Sequence, residues 1–241
     1  REAQAPGLAL LAASALVFIV GYREARPAEG EVWAEAARTQ LELWPGDHPI
    51  ERADLASNLG TVRYVESDFA GAAALFAEVT ALRERALGPE HPRVADSVNN
   101  LAGVRLAAGE YAESARLHTR ALATYERVLG PEHPQVATCL ANFALVRLDL
   151  EEYDEARRLL ERSLAIREAV LGGDHPQTAS TLASLAMVRQ RVGALGDAAR
   201  LFSRARDIYA RSLGEDHPKV AECLHNLATV RRDAGAREEA A

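Results

Sequence analysis

The sequence predicts an all-α protein, a right-handed α-α superhelix of stacked antiparallel helix pairs, and three observations predict it. One 42-residue period runs through most of the 241 residues. Each period holds two apolar stripes at helical spacing with a glycine-containing break between them. No window alternates apolar and polar residues with period two, so no strand is expected. Helix pairs of this kind cannot bury their apolar faces alone and must stack on their neighbours to share one core.

The period is carried by independent series. Pro92, Pro134, Pro176 and Pro218 are 42 apart, each preceded by histidine. The first step, from His48-Pro49, is 43, with the extra residue between Pro49 and Ala53. Asn58, Asn100, Asn142, Ser184 and Asn226 form a second series, and Arg63, Arg105, Arg147, Arg189 and Arg231 a third. Gly60, Ala102, Ala144, Ala186 and Ala228 each follow a leucine or phenylalanine. A ladder of small residues beside large ones is what close helix crossing requires.

In chain order, residues 1–27 come first. Ala3 to Tyr22 carries no charge, and Leu8–Val20 is apolar on nearly every face. A helix from Pro6 to Tyr22 would span roughly 25 Å, short of the ~30 Å hydrocarbon core. Three readings stand open: a transmembrane anchor through residues 8–22, a secretory signal, or the buried first helix of a degenerate repeat. No small-x-small cleavage site follows Val20, which weakens the second. The anchor reading expects one continuous helix over 8–22 that does not dock on the repeats, and a membrane-anchored protein. The buried reading fits a cytoplasmic one. Over 28–49, Trp33, Ala37, Leu41 and Trp44 share one stripe and predict a helix capping the array.

Residues 50–241 hold the repeats. In the second, Val94, Val98, Leu101, Val104 and Leu106 mark a first helix, and Ala108-Gly109-Glu110 a break. Tyr111, Ala115, Leu117, Leu122, Tyr125 and Leu129 mark a second helix. Gly130 follows where a helix ends in the left-handed conformation, and Pro131 and Pro134 prevent continuation. Nine helices are expected between about residues 51 and 235 on this pattern.

The runs Asn100-Leu101-Ala102, Gly109-Glu110-Tyr111, Arg120-Ala121-Leu122 and Leu129-Gly130-Pro131-Glu132-His133-Pro134 resemble the 42-residue tetratricopeptide repeat (TPR) of the kinesin light chain type, widespread in bacteria. The likeness covers roughly residues 50–241, four full repeats and the first helix of a fifth. Two departures stand out: arginine where many such repeats carry tyrosine, and Leu195 where Tyr111 and Tyr153 open second helices. The resemblance implies a TPR solenoid and a non-catalytic protein-protein interaction scaffold.

Composition narrows the function further. A net charge of -7, with Lys219 the only lysine, argues against nucleic acid. Phosphate loops, His-Glu-x-x-His pairs, nucleophile elbows and kinase catalytic loops are absent, and carboxylates such as Glu151-Glu152 read as solvated helix surface. No enzyme activity, cofactor, metal or small-molecule substrate is expected. Equivalent positions in adjacent repeats sit about 10 Å apart, so His91, His133, His175 and His217 cannot converge on one ion. Cys139 and Cys223, two periods apart, lie too far from each other for a disulfide and read as packing residues.

The resemblance also implies that first helices line a concave groove, where asparagines bond the backbone of a bound peptide. That role falls on Asn58, Asn100, Asn142 and Asn226, with Ser184 a shorter substitute. An amide offers a donor and an acceptor together, and asparagine is a poor helix former. The alternative is that these amides bond the neighbouring helix. Helical neighbours at i±3 and i±4 would complete the lining: Asp54, Ser57, Thr61, Asp96, Asn99, Gly103, Thr138, Ala141, Leu145, Ala183, Met187, His225 and Thr229. Polar or acidic ends and an apolar middle suit an elongated peptide or protein with a central hydrophobic anchor and basic flanks. The arginine series lies about 140° off that face and reads as stems packed on the adjacent helix, their heads paired to local carboxylates. An apolar segment ahead of such repeats also resembles the tail of membrane-spanning bacterial serine/threonine kinases. That alternative makes the chain a regulatory or sensory tail of a larger enzyme.

Overall fold

The computed structural model describes residues 5–239, with side chains over 7–235. Residues 1–4 and 240–241, the ends of the expected N-terminal segment and of the array, lie outside it. The described residues hold α1 (Ala5–Leu16), π-helical turns over Val17–Arg23, α2 (Pro27–Leu43), α3 (Pro49–Val65), α4 (Phe69–Leu87), α5 (Pro92–Ala107), α6 (Tyr111–Leu129), α7 (Pro134–Asp149), α8 (Tyr153–Leu171), α9 (Pro176–Arg191), α10 (Leu195–Leu213) and α11 (Pro218–Glu239). From α3 onward these are the nine expected helices, and no strand occurs among the described residues. They form two compact units, Arg1–Val128 and Leu129–Ala241.

Helix boundaries follow local chemistry. The repeated His-Pro is an N-terminal cap: proline, lacking an N–H, opens the helix, and the histidine accepts from a backbone N–H two residues on. His91 Nδ1 accepts from Arg93 N at 3.1 Å, His133 Nδ1 from Gln135 N at 3.2 Å, and His175 and His217 repeat the bond at 3.1 Å. These rings therefore carry their proton on Nε2. His48 differs, because the loop from Gly46 to Pro49 is one residue shorter than that from Gly88 to Pro92. Its Nε2 lies 3.1 Å from the Pro45 carbonyl oxygen and its ring stacks on Trp44 at 3.7 Å.

Second helices close on glycines in the left-handed region, Gly46, Gly88, Gly130, Gly172 and Gly214, 42 residues apart. Hairpin turns place Ala25, Ser67, Gly109, Glu151 and Gly193 at positive φ with the same spacing. Both series extend one period upstream of Pro49, so α1 and α2 repeat the backbone geometry of the later hairpins.

In the first unit, α1 docks. Leu10, Ala13 and Val17 are buried in one cluster with Ala34 and Ala37 of α2 and Leu55, Leu59 and Val62 of α3. The expectation of an undocked helix over 8–22 is therefore corrected. The segment is regular α-helix only to Leu16, then widens into π turns, and half of its apolar surface lies in the core. Leu8, Leu11, Ile19 and Tyr22 hold the remainder in the open. Among the described residues no helix is long and apolar enough to cross a membrane, so the anchor expected through residues 8–22 has no structural basis. An apolar face on each side looks like a span in sequence, although one face is core. Where the π-helical turns cross α2, a Cβ on Gly30 would meet Gly21 Cα at 2.7 Å. Ala53 and Ala56 of α3 pack with Val79 and Leu82 of α4, and the Phe76 ring sits on Gly60.

In the second unit, Ala144 and Leu148 of α7, Ala156 and Leu160 of α8, and Leu185 and Val188 of α9 share one cluster. Ala186 of α9, Phe202 of α10 and Leu227 and Val230 of α11 anchor the next. Cys139 and Cys223 are buried and not joined in a disulfide, and Cys223 packs with Leu182, Ile208 and Tyr209. Ala144 and Ala186 of the small-residue ladder are fully buried.

Candidate functional site

Each member of the asparagine series sits on a first helix, but their surroundings differ. Asn58, in α3, donates through Nδ2 to the Ser14 carbonyl at 2.8 Å and to Ser14 Oγ at 3.0 Å. Its donor group is engaged by α1, an outcome that depends on the docking described above. Asn100 of α5 is exposed, and Asn142 of α7, Ser184 of α9 and Asn226 of α11 are half-buried. No protein group hydrogen-bonds any of these four side chains among the described residues. Asn99 is turned inward, 8% exposed, with Oδ1 unsatisfied. Leu145 and Met187 are half-buried, and Met187 rests on two core clusters of the second unit.

Several expected lining residues are already bound to the protein. Thr61, Thr138 and Thr229 turn their hydroxyls back onto the carbonyls of Ser57, Pro134 and His225. Asp54 accepts from Arg83 at 2.8 Å and from Arg93 at 2.7 Å. Asp96 accepts from the Tyr125 hydroxyl at 2.6 Å. The off-face arginines pair locally: Arg63 with Glu31 at 2.6 Å, Arg105 with Glu110 at 2.8 Å, Arg147 with Glu152 at 2.5 Å and Arg189 with Glu161 at 3.4 Å. Arg147 also lies over the Phe143 ring at 4.7 Å.

A row on the second helices escaped the sequence reading. Arg83, Tyr125, Arg167 and Tyr209 are 42 apart, so the residue type alternates between repeats. All four are buried. Arg83 reaches Asp54 of its own hairpin and Ser97 Oγ of α5 at 2.8 Å. Arg167 reaches the Gln177 carbonyl at 2.8 Å, Thr181 Oγ1 at 2.6 Å and, weakly, Thr138 Oγ1 at 3.4 Å. Burial raises the Tyr209 pKa, opposed by its hydrogen bond to Ser180. The signal was present, since polar residues at one register of an otherwise apolar stripe require partners. A neighbouring row, Phe76, His118, Leu160 and Phe202, is apolar except at His118. His118 is fully buried, and desolvation lowers its pKa to about 4.

The described residues form hollows that are open to solvent. In the first unit, one of about 220 Å³ lies over Leu41, Leu55, Leu59 and Leu75, rimmed by Arg38, Arg52 and Glu78. It does not include the asparagine row. Among the described residues no group of three histidine, cysteine or carboxylate side chains is placed to hold a metal ion.

The family model described as tetratricopeptide repeat matches residues 51–125, 95–169, 142–209 and 180–241. No curated protein matches the sequence. Among solved structures, a kinesin-light-chain protein of Podosopora anserina with nearly identical TPR-like repeats is 27% identical, with a TM-score of 0.66 over 81% of this chain and 92% of that one. BtubC (BKLC) from P. vanneervenii is 21% identical, with a TM-score of 0.67 over 96% of this chain and 85% of that one. Aspartyl phosphate phosphatase F from Bacillus subtilis is 16% identical, with a TM-score of 0.74 over 98% of this chain and 60% of that one. The last two are likenesses of fold alone.

Proposed function

Since the chain belongs to the tetratricopeptide repeat family, we propose that it is a protein-interaction scaffold, binding an extended peptide or protein segment along its first helices and performing no chemistry itself. The observation that carries this reading is the contrast within the asparagine row. Asn58 is engaged by Ser14, whereas Asn100, Asn142, Ser184 and Asn226 present polar atoms that no other group among the described residues takes up. A polar row left open on a helix face suits main-chain recognition, because each amide can pair with a peptide N–H and C=O. In the second unit Asn142, Ser184 and Asn226 are the clamp positions, with Leu145 and Met187 as apolar contacts between them, and Asn100 is a clamp position of the first unit. Asn99, being buried, supports the helix rather than the ligand. Residues 8–22 belong to the core of the first unit, and the kinase-tail alternative, which drew on a free apolar segment, has no observation in its favour.

The test is Asn142→Ala in the full chain, measured for partner affinity and for thermal unfolding. Loss of a clamp bond worth about 0.5–1.5 kcal/mol weakens binding several-fold at unchanged melting temperature. Unchanged affinity with a lowered melting temperature would make the amide structural and remove that rung.

A further inference from the structure

A buried cation requires an anion, and one of the two buried arginines in the second-helix row has none. Arg83 has Asp54, which is also held by Arg93. The Asp54 side chain is 39% exposed, so the carboxylate end of this cluster opens to solvent. Two periods on, the same three positions are Arg167, Thr138 and Gln177. Arg167 is 6% exposed, and its acceptors are a carbonyl and two hydroxyls, none of them ionised. Its Nε, like that of Arg83, is buried without a partner. Thr138 is shorter than aspartate, and its contact with Nη2 is 3.4 Å where Asp54 is held at 2.8 Å. Gln177, exposed, carries a neutral donor amide where Arg93 carries a charge.

We propose that Arg167 and Gln177 form a carboxylate-binding site beside Thr138, in which a ligand's carboxylate takes the place that the Asp54 side chain fills in the first repeat. A guanidinium held in a dry setting binds a carboxylate far better than an exposed one does, since neither water nor a protein acid competes for it. Desolvation already lowers the Arg167 pKa, the strain an arriving anion relieves. The site stands on this geometry alone; that the carboxylate belongs to an acidic side chain of a bound segment rests on the scaffold reading.

The experiment is thermal unfolding of the full chain in sodium acetate or N-acetylaspartate amide, against sodium chloride of equal ionic strength. Either carboxylate raises the melting temperature saturably, by about 2–4 °C. Thr138→Asp supplies the missing carboxylate internally, raises the melting temperature without additive and abolishes the response. Arg167→Met also abolishes it; should that variant fail to fold, Thr138→Asp decides. A larger response to N-acetylaspartate amide assigns the site to a bound chain, and a larger one to acetate assigns it to a free acid. No response, or one that persists in Thr138→Asp, overturns the proposal. Neither result depends on Asn142, so failure of the clamp and failure of this site are separable.

Discussion

Leu10 and Leu11 are adjacent, chemically identical and placed on opposite faces of α1. Leu10 is 1% exposed, packed with Leu55, Leu59 and Val62 of α3, and Leu11 is 57% exposed. Leu10→Ala removes buried methyl groups and leaves a cavity, a change that costs about 2–5 kcal/mol where the surroundings cannot collapse. Here Leu10 sits in one cluster of a stacked array, and α1 can undock while the later hairpins stay folded, so its own docking energy caps the loss. The expected effect is therefore about 2–3 kcal/mol on the first unit. Leu11→Ala should stay within about 0.5 kcal/mol, as surface changes do. Urea unfolding of the full chain reads the stability, and amide exchange over residues 7–23 reports undocking directly. Equal, small effects from both substitutions would refute docking of α1, and equal, large ones would mean that both faces are covered.

Two further outcomes follow from close contacts and buried charge. Gly30→Ala places a methyl against the Gly21 backbone, which cannot yield as a flexible side chain would. It should cost about 1–3 kcal/mol in thermal unfolding, and a cost under about 0.5 would show that the contact of the π-helical turns with α2 is looser than described. His118 has a folded-state pKa of about 4 against about 6.5 in the unfolded chain, which therefore takes up the proton first. Stability is flat above pH 6.5 and falls as pH drops toward 4, by at most about 3 kcal/mol from this residue. His118→Leu, the residue found at Leu160 in the next repeat, should remove that share of the acid limb when unfolding is followed from pH 7 to 4.5. An unchanged pH profile would place the acid sensitivity elsewhere.

How far the site was legible depends on the reach of the interaction. Helix starts at Pro92, Pro134, Pro176 and Pro218 were readable because cap and proline act within two residues. The helix-closing glycines were readable for the same reason. The arginine series was readable in part, since Arg105 and Arg147 find carboxylates five residues on, whereas Arg63 and Arg189 reach back to Glu31 and Glu161 on earlier helices. The polar row at Arg83, Tyr125, Arg167 and Tyr209 was not, because Arg83 meets Asp54 and Tyr125 meets Asp96 29 residues back along the chain. The likeness between repeats could have exposed the row, but only as a pattern without partners.

The sequence by itself determined the 42-residue period, the two helices within it and the membership of the repeat family, because periodicity, capping and turn chemistry are local and recur five times. Tertiary structure alone decided the rest. An N-terminal segment apolar on both faces is equally suited to lipid and to a protein core, and only its docking on α2 and α3 settles which face is buried. That docking also removes the Asn58 donor from solvent, through a contact 44 residues away. Arg83 and Arg167 occupy one register position, yet one guanidinium is neutralised by Asp54 and the other faces Thr138. Hydrogen bonds and charge depend on what the fold brings within a few ångströms, and at these separations no local rule specifies it.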